Sequence, residues 1–211
     1  MATQKKSKIA SERDEGARAL WRWLSSRFDV RRLVFVDESG THISMDRLRS
    51  RAPKGERAPR GVRAYGKVPK NRGKNLTLIA SMSLYGMGES MCFEGATDAR
   101  AFEVYVEHFL APSLCEGQVV VMDNLGAHRP NRIRELIEAR GAEIVFVPSY
   151  SPDLNPIEQA FSKIKHILRK LGARTHEALL EAMEEALSKV TPADAAGWFD
   201  HCGYQVEVQY L

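Results

Sequence analysis

The stretch LVFVDES, residues 33–39, sets four apolar residues in a row and then turns acidic. It has no alternation that would give a wet face, so it reads as a strand covered on both sides and ended by Asp37. Two further runs have the same character, GQVVVMDN at 117–124 and EIVFVP at 143–148. The first of these also runs into an aspartate, Asp123. LTLIASMSL (76–84) and SMCFEG (90–95) flank Tyr-Gly-Met-Gly, a hairpin signal.

Helical patterns fill the spaces between. SERDEGARALWRWLSSR (11–27) offers Leu20, Trp21, Trp23 and Leu24 as an apolar side. DARAFEVYVEHFLAP reads as a helix stopped by Pro112, and Pro130 opens another that runs to about Arg140 and ends at Gly141. A helix from Pro156 to about Leu171 follows, then amphipathic segments over 175–189 and 192–201. A meander of strands followed by alternating helix and strand predicts an α/β domain, a mixed central sheet flanked by helices. We expect residues 1–30 to be an N-terminal helical segment and 31–211 to form the main domain with its C-terminal helices.

The 211 residues can bury a full core, and 44% hydrophobic with 27% charged residues is ordinary for a globular chain. No apolar run reaches the roughly 18 residues of a membrane span, and no apolar core follows the early lysines as a secretory signal would need. Cys92, Cys115 and Cys202 are odd in number and widely spaced, which predicts reduced thiols and no zinc site. There is no GxxxxGK[ST] loop, no HExxH and no GxSxG elbow.

Charge is unevenly spread. Residues 47–74 hold eleven cations, among them Arg57, Arg60, Arg63, Lys67, Lys70, Arg72 and Lys74, against one acid, Glu56. Such a block repels itself unless it meets a polyanion, and nucleic acid is the commonest one. The bland alternative is a solvated loop.

The acids carry the chemistry. Asp37 and Asp123 each stand at the C-terminal end of an apolar strand, the edge where open α/β sheets bind ligands. If those strands are parallel neighbours, the carboxylates sit side by side and call for a cation between them. Mg²⁺ is held by one or two carboxylates plus substrate phosphate, and two such ions serve phosphoryl displacement. A third carboxylate is offered by SPDLNPIEQAFSKIK (151–165), a tight turn feeding a helix. There Asn155 is placed to cap, Pro156 suits the first helical position, and Glu158 falls third. Glu38 and Asp153 are rivals. Strand alternation sends Glu38 to the face opposite Asp37, and Asp153 reads as a turn residue stabilising its own backbone. Along the helix Glu158, Ser162, Lys165 and Arg169 share one side, while Ile157, Phe161, Ile164, Leu168 and Leu171 form the core side.

Taken together, FVDES, VVVMDNLGAHR and VPSYSPDLNPIEQAFSKIK resemble the catalytic domain of the DDE transposases, in the bacterial insertion-sequence branch of the mariner-like superfamily. Thirty-four residues separate Asp123 from Glu158, the spacing typical of that branch, and the likeness covers roughly residues 30–200. Phe161 stands where many relatives have Trp. The resemblance implies a ribonuclease-H-like fold and an acidic triad, Asp37, Asp123 and Glu158, holding two Mg²⁺ or Mn²⁺ ions. It also implies strand cleavage and transfer at the ends of an element, insertion at TA, a homodimer, and a cytoplasmic, nucleoid-associated protein of a prokaryote. Asn124 and His128 match the family segment after the second aspartate and, with the basic residues above, Lys165 and Arg169, are the expected DNA contacts; for His128 the alternatives are helping to hold the metal site and a structural role at a helix entry. The family normally begins with helix-turn-helix domains. Thirty residues hold one helix at most, so end recognition is expected from a separate or fused partner. A stand-alone metal-dependent nuclease and a non-catalytic DNA-binding remnant are the alternative readings.

Overall fold

The computed structural model describes residues 10–46, 67–123 and 131–206. Most of the basic stretch, with Arg57, Arg60 and Arg63, lies outside them, as do Asn124, His128 and Pro130. Five strands form one sheet: β1 (Leu33–Thr41), β2 (Leu76–Ser83), β3 (Gly86–Glu94), β4 (Val119–Met122) and β5 (Glu143–Phe146), in the order β3-β2-β1-β4-β5. β1 runs antiparallel to β2 and parallel to β4, while β2–β3 is an antiparallel pair and β4–β5 a parallel one. The expected mixed sheet is therefore present.

Helices cover both faces: α1 (Glu15–Ser25), α2 (Ala99–Tyr105), α3 (Ala111–Ser113), α4 (Asn131–Glu138), α5 (Ile157–Leu171), α6 (His176–Ser188) and α7 (Pro192–His201). Period-two alternation splits the apolar strands between two cores. Leu33, Phe35, Val119 and Val121 pack with α1, α5, α6 and α7, whereas Val34, Val36, Val120 and Met122 pack with α2 and α4.

Several expectations are corrected in detail. β1 does not end at Asp37 but continues to Thr41, because β2 goes on pairing with it from Asp37↔Ala80 to Thr41↔Leu76 after the β4 pairing has stopped. The hairpin turn is Leu84-Tyr85, and Gly86-Met87-Gly88 already belong to β3. Gly88 is needed there, since a Cβ would lie 2.5 Å from Ser81 Oγ at the irregularity in the ladder. Pro112 does not stop its helix. It lacks an N–H and crowds the carbonyl four residues back, and the chain passes that point as a π turn, Val106–Leu110, before continuing through Ser113. On α5, Leu171 is exposed and Ala160 joins the core instead.

The apolar side assigned to α1 is also overturned. Leu20, Trp23 and Leu24 are exposed, and the buried side is Arg18, Trp21 and Ser25. Polar anchoring decides this. Arg18, fully buried, donates two hydrogen bonds to Asp153, at 3.0 and 2.6 Å. Trp21 Nε1 donates to the Tyr204 hydroxyl at 3.1 Å, which in turn donates to the Leu154 carbonyl at 2.7 Å. Residues near both ends of the described chain thus grip the turn before α5. Asp153, expected to stabilise its own backbone, instead pairs with Arg18, and that bond holds its carboxyl below the ordinary range.

Asp153→Ala would take both short hydrogen bonds from a buried guanidinium and leave it only Glu15, 3.5 Å from its Nε. We expect a loss of about 2–3 kcal/mol, read by denaturant or thermal melting. Leu20→Ala, on the exposed side of the same helix, is expected to change stability by less than about 0.5 kcal/mol.

Candidate active site

The site is built where the sheet changes partners. The parallel β1–β4 ladder stops at Val36↔Met122, so the next residues along the two strands are Asp37 and Asp123. Both share parity with Phe35 and Val121 and so lie on the α5 side of the sheet. Glu38 has the parity of Val34 and Val36 and belongs to the opposite side. Val147 N–H bonds the Met122 carbonyl at 2.9 Å, which carries the chain past β5 along the same rim and into the turn before α5. Glu158, in the first turn of α5, is the third acid there.

Asp37, Asp123 and Glu158 line one cleft of about 420 Å³, walled by residues 147–152 and by Asn155. Asp37 is only 7% exposed. Its Oδ1 accepts the Glu38 N–H at 2.7 Å and its Oδ2 accepts the Asn155 amide at 2.8 Å. Asn155 is therefore not the helix cap expected of it. Its Nδ2 serves the buried carboxylate, its Oδ1 is buried without a partner, and no side chain caps α5. Without that cap there is no capping box, and Glu158 lines the cleft.

Burial pushes the Asp37 carboxyl up to about 8, and Glu158 and Asp123 add to the rise while the Glu38 N–H opposes it. Glu158 is raised as well, by the cleft walls first and by Asp123, with Lys165 opposing. Among the described residues no three His, Cys, Asp or Glu side chains form a ready-made metal cluster. The three acids share a wall. That suits a hard divalent ion, which needs one or two carboxylates and takes its remaining oxygens from substrate and water. A desolvated carboxylate beside two others is the place where such a cation relieves most repulsion.

The cations divide into groups. Lys165 is close enough to Glu158 to oppose its rise, as expected from their shared helix side. Burial, and after it the charges of Arg72 and Arg169, hold the His42 imidazole below its ordinary range. Lys67 and Lys70 are exposed. Lys74 pairs with Glu94 at 3.0 Å, beside β3 and away from the cleft. Asn155 as a partner of Asp37 and Tyr150 as a lining residue of the cleft are not legible in the sequence, because nothing in the spacing of either marks it out.

Residues 32–180 match the family described as DDE superfamily endonuclease. The chain belongs to that family. No curated protein sequence matches it. Similar solved structures include the Mos1 transposase paired-end complex with left transposon end and the Mos1 mariner paired-end complex with Mn. Each has a TM-score of 0.68 at 16% identity, covering 96% of this chain and 64% of the other. The catalytic domain of Mos1 mariner transposase has a TM-score of 0.60 at 15% identity, with 97% and 100% covered. These likenesses establish the fold, and the five-stranded mixed sheet with its helices is ribonuclease-H-like. The chain spans less than two thirds of the transposase in the two complexes. No described helix is long and apolar enough to cross a membrane.

Asp37→Asn tests the electrostatics of the cleft. A folded-state carboxyl raised to about 8 costs nothing below the unfolded value near 3.8 and costs most above 8. The variant should match wild type near pH 4 and melt higher as pH rises towards 8, by roughly 2–4 °C for each kcal/mol relieved. Mn²⁺ should raise the melting temperature of wild type and not that of the variant.

Proposed function

We propose that this chain is the catalytic domain of a DDE transposase of the mariner-like superfamily, in its bacterial insertion-sequence branch. It would cut DNA at the ends of an element and join the freed 3′ ends to target DNA. The observation that carries this reading is the convergence of Asp37, Asp123 and Glu158, from β1, β4 and α5, on one cleft. The Mos1 relatives were solved with Mn and with Mg, with a left transposon end, and as a strand transfer complex, which supports metal, DNA and reaction class alike.

Asp37, Asp123 and Glu158 would hold two Mg²⁺ or Mn²⁺ ions, which when bound neutralise phosphodiester charge and make water or a 3′-hydroxyl a better nucleophile. The chain's own part is positioning. The Glu38 N–H and Asn155 hold the Asp37 carboxylate in one orientation, and Val147 and Pro148 give the cleft an apolar wall. Lys165 would hold the DNA backbone beside the acids and Arg72 and Arg169 further along, near His42, with Lys67, Lys70, Arg57, Arg60, Arg63, Asn124 and His128 extending that contact. Lys74, engaged with Glu94, would contribute least. A homodimer, TA targets and a helix-turn-helix partner belong to this proposal, as does a cytoplasmic, nucleoid-associated setting.

The test is supercoiled plasmid with Mn²⁺ or Mg²⁺. We expect nicking that a chelator abolishes, that Asp123→Asn lowers more than about 100-fold and that Asn155→Ala lowers about 10- to 100-fold. Joined strands with element-end DNA identify a transposase, while nicks without joining identify a stand-alone nuclease. DNA binding without nicking, unchanged in Asp123→Asn, would replace the proposal with the non-catalytic remnant.

A further inference from the structure

Tyr150 stands apart at the mouth of the cleft. Among the described residues it is the one non-glycine with a positive φ, 55°. The left-handed region suits Gly, and after it Asn or Asp, whereas a bulky side chain there is under strain. Such strain persists where the surroundings enforce it and is commonly tied to function. The surroundings here are well tied. Ser151, buried, donates from Oγ to the Ser149 carbonyl at 3.2 Å across Tyr150, and the Leu154 N–H bonds the Ser151 carbonyl at 3.0 Å. Yet Tyr150 is 59% exposed while lining the same cleft as the three carboxylates. The fold bears the strain and gains no buried ring in return.

We propose that Tyr150 is a stacking platform for an unpaired nucleobase next to the phosphate held in the cleft. This rests on the reading of the cleft as a DNA-cutting site. A neutral aromatic ring is suited to the position, because it offers a base its π-face without adding charge beside the acids. Aromatic rings bind bases through their π-faces regardless of sequence. In duplex DNA those faces are covered by neighbouring pairs, so the ligand is a base that has left the stack, as happens when a strand is opened or cut. The bonds on either side of Tyr150 fix the backbone that carries the ring, which lowers the ordering cost of stacking.

The experiment uses a duplex with a single-stranded overhang of 2-aminopurine, with Ca²⁺ in place of Mg²⁺ so that cutting plays no part. Wild type and Tyr150→Phe should quench the probe on binding. Tyr150→Asn and Tyr150→Ala should lose the quenching and bind the overhang roughly 5- to 150-fold more weakly, with affinity for closed circular plasmid unchanged. Asn accepts a left-handed backbone, so Tyr150→Asn should melt at or above the wild-type temperature, which separates lost stacking from lost fold. Wild type that does not quench, or Tyr150→Asn that quenches and binds as wild type does, overturns the proposal. Quenching as expected without metal-dependent nicking would strike the transposase reading and leave the stacking site standing.

Discussion

The parallel ladder between β1 and β4 ends one residue short of two aspartates, and the chemistry of the cleft follows from that register. A slip of one residue would send one acid to the opposite face, into the core with Val36 and Met122. The apolar pairs below the rim, Phe35 beside Val121 and Val36 beside Met122, hold the register, because each has a buried place on its own side of the sheet. β1 then runs on alone with β2. Asp37 therefore has a strand on one side and an open edge on the other, where Asn155 and the helix carrying Glu158 close in.

Local cost is concentrated at this rim. Asp37 is a buried carboxylate with two acids near it, Asn155 keeps a buried oxygen without a partner, and Tyr150 holds a left-handed backbone. The opposing contributions come from further away. Arg18 grips Asp153, and the Trp21–Tyr204–Leu154 chain of hydrogen bonds holds the turn's carbonyl. Phe35 packs edge-on against Phe199 and Tyr204, with ring centroids 5.3 and 5.2 Å away. Residues at the two ends of the described chain thereby steady the turn that delivers Asn155 and Glu158. A cleft that is uncomfortable without a cation and without DNA is well suited to binding both.

Much of this was legible in the sequence. The unbroken apolar runs ending in Asp37 and Asp123 gave strands, rim and side, because burial on both faces leaves a clear trace in composition. The helix after Pro156 and its core residues could be read from their period. What was hidden were contacts between distant segments. A Trp-rich stretch looked like a greasy helix side, but hydrogen bonds from Arg18 and Trp21 to residues more than 130 positions away turned Leu20 and Trp23 to solvent. Asn155 looked like a cap because local geometry permitted one, and a buried carboxylate on β1 won its amide instead. A strained φ at Tyr150 leaves no mark in composition at all.

The account stands on three carboxylates from three elements acting as one cation site. Mn²⁺ titrated into the DNA-bound protein, with the free ion followed by electron paramagnetic resonance, measures that directly. Asp37→Asn, Asp123→Asn and Glu158→Gln should each weaken Mn²⁺ binding by about tenfold or more while DNA binding persists. If Asp123→Asn or Glu158→Gln holds Mn²⁺ as tightly as wild type, the three acids do not form one site and the central claim fails.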